Sequence, residues 1–301
     1  MLFTTKFSMF KITAIITILV LGISIPLVSA NEDESLAFAG YLEETLGHFW
    51  AIEQNLDESN AELALVHATH PIAELYLSMK PQLLQANPEF DLKIQKTLID
   101  LKKDTGSDVS RKDAQMALDN AKQLIEEARN LVIGNELSSD TKFRTNLMIG
   151  LLSTSIGEYE EAVKDGQIDM MAEFQDGSAF VWRSQQIFEE IKDELPKVQS
   201  EKIAKKFPKV WDAYDQRLTS AEMNVLVNEI IQDLESTTGE KLSYSIEKLS
   251  PLKQIKSGIL PKDVKCNDDR QIVFKKSTGN PACVKLETAQ RLVNIGWAII
   301  Q

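Results

Sequence analysis

The chain has three histidines, His48, His67 and His70, and they lie close together in the sequence. His67 and His70 are three residues apart, so on a helix both project from one side. Glu74 follows His70 at the next turn, and Glu44 precedes His48 by a turn. Two imidazoles and a carboxylate at this spacing suit a first-row transition metal. Further along, Asp169, Glu173 and Asp176 form a carboxylate stripe. Acids in the first turn of a helix favour its dipole, which accounts for the stripe without a ligand. If that helix faces the histidines, Glu173 and Asp176 complete an inward ring of nitrogen and oxygen ligands, as bundle cores do.

The candidate metal ligands are therefore His48, His67, His70, Glu74, Glu44, Glu173 and Asp176, with iron, copper or zinc as the ion. The bundle region has no cysteine and one nearby methionine, Met79, which argues against a soft copper(I) site. The competing reading makes these histidines solvated or hydrogen-bonded surface residues. No Glu-x-x-His pair occurs, so the arrangement is not ferritin-like.

Other chemistries find no support. There is no Gly-x-Ser-x-Gly turn, no Walker loop and no dinucleotide fingerprint, and the expectation is a protein that is not an enzyme. The two cysteines, Cys266 and Cys283, lack the spacing of a zinc ribbon or haem attachment site. In an exported chain such a pair is most economically a disulfide. It would close a loop of about 17 residues, worth roughly 3 kcal/mol of loop entropy.

The elements that must position these residues are helical. From Glu34 to about Leu249 the apolar spacing is that of helices, predicted over about 34–56, 60–80, 87–106, 110–133, 140–164, 169–195, 208–218 and 220–236. The turn at Asp57 to Asn60 brings the first two antiparallel. Pro71 should kink the second helix or begin a new one. Along 60–80 the main apolar stripe reads Ala61, Leu65, Ala68, Ile72, Tyr76 and Met79. The histidines fall on another stripe with Leu63 and Leu77. Trp50, Trp182 and Trp211 are expected in the core or at its edge. The architecture is a mostly α, up-and-down helical bundle. Past Ser250 the composition changes. Residues 271–274 and 282–284 read as two strands around a Thr278–Pro281 turn, followed by a helix that stops at Gly296. The predicted division is a signal segment at 1–30, a helical bundle domain at 31–249 and a small C-terminal module at 250–301, a disulfide-stapled β-hairpin with a helix.

The first thirty residues have the order of a secretory signal. Lys6 and Lys11 precede an uncharged run from Ile12 to Val28, then Val28-Ser29-Ala30 and the acidic Asn31-Glu32-Asp33-Glu34. Cleavage after Ala30 is expected; retention as an anchor would be the only membrane contact, because no later segment is apolar for long enough. Either way the rest is extracytoplasmic. The net charge of −12 becomes −14 once Lys6 and Lys11 are removed. Such a surface repels phosphate backbones, so nucleic acid is not an expected partner.

Two stretches resemble known families. The run from Glu158 to Ile168, EYEEAVKDGQI, followed by Ala172-Glu173-Phe174, resembles the extracytoplasmic helical domain attached to some bacterial high-affinity iron permeases. The resemblance implies a periplasm-like location and an accessory part in delivering or sensing iron or copper, with a transporter as partner. It assigns no ligand, since the histidines lie outside it. The tail, with Cys266, Pro281 to Val284 and Gly296 to Ala298, is similar to a C-terminal module on secreted proteins of ammonia-oxidising archaea. That module implies location and a disulfide, and no activity. Two functions follow as expectations: an exported bundle that binds a transition metal or assists its uptake, or a metal-free envelope protein that joins a surface complex.

Overall fold

A computed structural model describes residues 32–106, 108–164, 166–239, 251, 254, 260–266 and 270–300. The signal segment and the junction near Ser250 lie outside the described residues.

The main domain contains two hydrophobic cores that share one helix. Helix α1 (Glu32–Asp57) begins with three acids, which suit the positive end of its dipole. The chain then reverses through Ser59, whose φ is 60°, and Asn60 caps α2 (Ala61–His70) by accepting from the Leu63 amide. A π-helical turn (Pro71–Leu75) joins α2 to α3 (Tyr76–Ala86). The proline has no N–H to return to the preceding turn, and the wider turn absorbs that loss, so the helical course bends without stopping. Asn87 caps α4 (Pro88–Lys103), and Ser110 caps α5 (Arg111–Val132). Phe38, Leu42, Phe49 and Ile52 of α1 bury against Ala64, Met79, Leu83, Ile94, Leu118 and Leu124 to form the first core.

Gly134, at φ 80°, ends that half as the sequence predicts, and a short helix α6 (Asn135–Ser138) leads on. Helices α7 (Thr141–Ala162) and α8 (Met171–Ile191) are joined by a minimal hairpin, β1 (Val163–Lys164) and β2 (Gln167–Ile168). Then come α9 (Lys197–Gln216) and α10 (Ser220–Thr238), the latter opened by a Thr219/Glu222 capping box. Phe143, Met148, Leu152, Tyr159, Phe188, Phe207 and Ile230 fill the second core, which Ala39 of α1 also enters. Thus α1 packs on α2 and α5 with one side and on α7 and α8 with another.

Two expectations need correction. The helix expected at 208–218 begins at Lys197, with Pro208 inside it. Pro208 and Ala204 are both exposed, so water can satisfy the carbonyl that the missing N–H leaves. On α2 the histidine side is not off the core: Ala64, His67 and Ala68 are its buried residues, while Leu77 on the supposed histidine stripe is exposed. Small side chains let α2 lie close to its neighbours, and that contact ridge outranks the larger leucines. The tryptophans lie at the edge, where Trp50 and Trp182 stack with ring centroids 5.2 Å apart.

Gly177 shows how tightly α8 sits. A Cβ there would come 2.8 Å from Tyr214 Oη, 3.2 Å from the Ser155 carbonyl oxygen and 3.4 Å from the Tyr159 nitrogen. Two of these neighbours are backbone and cannot rotate away. Gly177→Ala should therefore lower stability by about 1–3 kcal/mol, despite alanine's better helix propensity. Thermal unfolding of the variant at or above the wild-type midpoint would refute this.

The C-terminal module is a three-stranded sheet in the order β4-β3-β5, with β3 (Arg270–Lys275), β4 (Pro281–Lys285) and β5 (Ala298–Ile299). Helix α11 (Leu286–Asn294) covers it, burying Val273, Ala289 and Ala298 together. The expected hairpin and helix are present. The third strand is an addition, reached after Gly296 turns the chain at φ 71°. Cys266 and Cys283 form a disulfide with Cα atoms 5.5 Å apart. Gln254 adds a second tie, donating to the Lys265 carbonyl at 2.6 Å and accepting from the Lys265 amide at 2.8 Å.

Candidate metal centre

Close approach of α8 to α1 begins with a missing side chain. A Cβ at Gly47 would lie 2.9 Å from Phe180 Cδ1, so glycine lets the Phe180 ring settle against α1. That ring meets His48 edge-on at 5.4 Å. Asp176 is one turn before Phe180, and Gly177 beside it lets α8 close on α7 as well. Two glycines in helix interiors, each worth about 1 kcal/mol against alanine, thus carry the carboxylate to the histidine. The Asp57–Asn60 turn lays α2 back along α1 and supplies His67 and His70 from its last turn.

The three imidazoles converge on one carboxylate. His48 Nδ1 and His67 Nδ1 lie 2.7 and 2.9 Å from Asp176 Oδ1, and His70 Nδ1 lies 2.9 Å from Oδ2. Ring centroids of the histidine pairs are 5.0–6.2 Å apart. His48, His67 and Asp176 are buried, while His70 is partly open. One donor atom from each of the four residues fits within a 4.8 Å span. Short distance does not make every contact a hydrogen bond here. His48 Nδ1 and His70 Nδ1 are buried, and neither makes a hydrogen bond of ordinary geometry despite its short distance to the carboxylate.

Electrostatics follow the geometry. Burial alone would raise the Asp176 pKa, but the facing imidazoles, His48 first, hold it well below the usual carboxylate range. Burial would lower that of His70, yet Asp176, then Glu74 and Glu173, raise it. Glu173 is itself pushed up by burial and by the charge of Asp176.

Of the seven candidate ligands, His48, His67, His70 and Asp176 come together. Glu44, Glu74 and Glu173 are outside the group. Glu44 accepts a hydrogen bond from Thr154 Oγ1 at 3.2 Å. Glu74, on the π-helical turn, is exposed and reaches His70 only through its charge. Glu173, a turn before Asp176, is half-buried and acts in the same way. A one-turn offset keeps an acid on the same side of its helix but carries it about 5 Å along the axis from the point where the rings meet. Sequence reasoning missed Gln175 and Asn55. Gln175 Oε1 lies 2.7 Å from His67 Nε2, and Asn55 bonds to Gln175. Their signal was available: Gln175 adjoins Asp176, and Asn55 is two helical turns beyond His48.

The four donors fit a divalent first-row ion. Three nitrogens and one carboxylate oxygen are a common mixed shell for iron, zinc or copper(II), and two of the nitrogens make no hydrogen bond of ordinary geometry. Among the described residues no helix is long and apolar enough to cross a membrane.

A family model described as the iron permease-associated 4-helix bundle domain matches residues 134–241. That stretch covers α7 to α10 and includes the run Glu158 to Phe174 that carried the resemblance. It holds Asp176, Gln175 and Glu173 but none of the histidines. No curated protein and no solved structure matches the chain.

Proposed function

We propose that the chain is an exported, non-enzymatic helical protein that binds one transition-metal ion at His48, His67, His70 and Asp176 and assists uptake of iron or copper. The observation that carries the metal is the convergence of three imidazole nitrogens on a buried carboxylate, two of them without hydrogen-bond partners. Support for the uptake role is the match to an iron permease-associated domain, which makes a transporter the natural partner. The disulfide supports an oxidising, extracytoplasmic setting.

A second reading has its own observation. The tail exposes Leu286, Ile295, Trp297, Ile299 and Ile300, which suits attachment to another envelope protein. Elemental analysis of the exported, purified protein decides between them. The metal reading expects about one iron, copper or zinc per chain. Protein that carries none and takes none up on incubation with each ion leaves the metal-free interaction role in its place.

A further inference from the structure

We propose that Gln175 and Asn55 are positioning residues of this centre, which together fix His67 in the tautomer that leaves Nδ1 bare toward Asp176. The inference rests on the metal reading above and deepens it. Its starting point is a backbone carbonyl. Asn55 places its amide Nδ2 2.8 Å from the Ala51 carbonyl oxygen. A carbonyl only accepts, so this side of the amide is the NH2. The same NH2 donates to Gln175 Oε1 at 2.9 Å, and Gln175 Nε2 donates back to Asn55 Oδ1 at 3.2 Å. Turning Gln175 over would set oxygen against oxygen and nitrogen against nitrogen. Turning both over would set oxygen against the Ala51 carbonyl. The network therefore has one consistent orientation.

The orientation reaches His67 through the amide oxygen. Gln175 Oε1 faces His67 Nε2 at 2.7 Å and can only accept, so Nε2 carries the hydrogen. In a neutral imidazole the other nitrogen then presents a lone pair. That nitrogen is Nδ1, 2.9 Å from Asp176 Oδ1. A proton on Nδ1 makes this contact a hydrogen bond; in the tautomer with Nδ1 bare, a cation between the two atoms makes both of them ligands. The relay runs from the α1 backbone through Asn55, across to Gln175 on α8, and on to His67 on α2. It links the three helices that supply the four donors. A hydrogen bond to the far nitrogen of a ligand histidine fixes ring and tautomer, and its loss typically costs 10–100-fold in metal affinity.

The test uses the mature protein and cobalt(II), whose visible spectrum reports its ligands. Nitrogen-15 correlation spectra of the metal-free wild type at neutral pH should show His67 with hydrogen on Nε2. Gln175→Leu, which keeps the volume and removes the acceptor, should mix the tautomers and weaken cobalt(II) binding about 10–100-fold. Gln175→Glu keeps an acceptor at that position and should restore affinity to within a few-fold of wild type. Circular dichroism checks that all three proteins hold the same helix content. The inference is overturned if His67 in the wild type is an imidazolium or carries hydrogen on Nδ1. It is overturned equally if Gln175→Leu leaves the tautomer unchanged, whatever the affinity does. Wild-type protein that shows the expected tautomer but binds no cobalt(II) upholds the relay and sinks the metal function instead.

Discussion

Replacing both His67 and His70 with alanine should take bound metal from about one equivalent per chain to none, with the helix content kept. The double variant leaves His48 and Asp176, two donors on two helices, and removes both nitrogens that α2 contributes. Two donors do not hold a divalent ion against water and buffer as a four-donor shell does. The fold should survive because α2 keeps Ala64 and Ala68 in the first core. Gln175 Oε1 keeps its donor in Asn55, so the change leaves no orphaned amide oxygen. Loss of the buried His67 ring should cost stability on the order of 2 kcal/mol through the cavity it leaves. A second readout separates lost binding from lost folding. An ion that binds only the folded state stabilises it by about 2.7 kcal/mol at a hundred times its dissociation constant. Metal should raise the wild-type melting temperature and leave that of the double variant where it is. A double variant that retains its metal, or still gains stability from it, would show that the ion sits elsewhere.

The site was partly legible because some of its geometry is local. His67 and His70 share a helix side by spacing alone, and the tight Asp57–Asn60 turn forces α2 back against His48. Asp176 is 109 residues from His67, and only packing brings them together. Carboxylates could be suggested on α8, but the sequence could not choose Asp176 over Glu173. That choice is made by Gly47 and Gly177, which set how close α8 comes and which of its sides turns inward. A glycine inside a helix costs stability and so marks a packing reason; both were readable as such. The stripe on α2 was misjudged for a related cause. The main stripe was read through Ala61, Leu65 and Ala68; of these only Ala68 is buried, and Ala64 and His67 join it in the tight contact with the neighbouring helices. The helical class and the small C-terminal unit came through because caps and breakers, such as Asn60, Ser110 and Gly134, act within a few residues.

The domain match and the site divide the chain differently. Residues 134–241 correspond to the second core, which contributes Asp176 and its neighbour Gln175. All three histidines come from α1 and α2, which build the first core. The centre lies on the seam between the halves. It is legible only when the two are taken together, and the matched segment alone supplies one donor of four.

A second contact on that seam, a buried carboxylate held by two guanidinium groups, should carry a large share of stability. Glu43 of α1 is buried, with Oε1 2.8 Å from Arg129 Nη1 of α5 and Oε2 2.5 Å from Arg183 Nε of α8. Arg129 also reaches Glu126 on its own helix at 3.0 Å. Glu43→Leu would leave two largely buried guanidinium groups facing an apolar side chain. Removing one partner of such a group typically costs 3–5 kcal/mol, much of it the penalty of the stranded charge. The midpoint of urea unfolding should fall accordingly with little change in slope. Replacing Glu43, Arg129 and Arg183 together by apolar residues of similar volume should recover much of that loss, since no charge is then stranded. The pH dependence gives a further check. Burial would raise the Glu43 pKa, but Arg183 and then Arg129 outweigh it, so the folded value lies below the ordinary 4.5. A carboxyl with a lowered folded pKa contributes its stability in full above the unfolded value and loses it as the pH falls through the folded one. The gap between wild type and Glu43→Leu should therefore be greatest near neutral pH and shrink below about pH 4.5. Titration of acids that do not touch Arg129 or Arg183, Asp176 included, is common to both proteins and cancels in the difference. A gap that stays constant from neutral pH into acid would mean that Glu43 acts by packing and not by its charge.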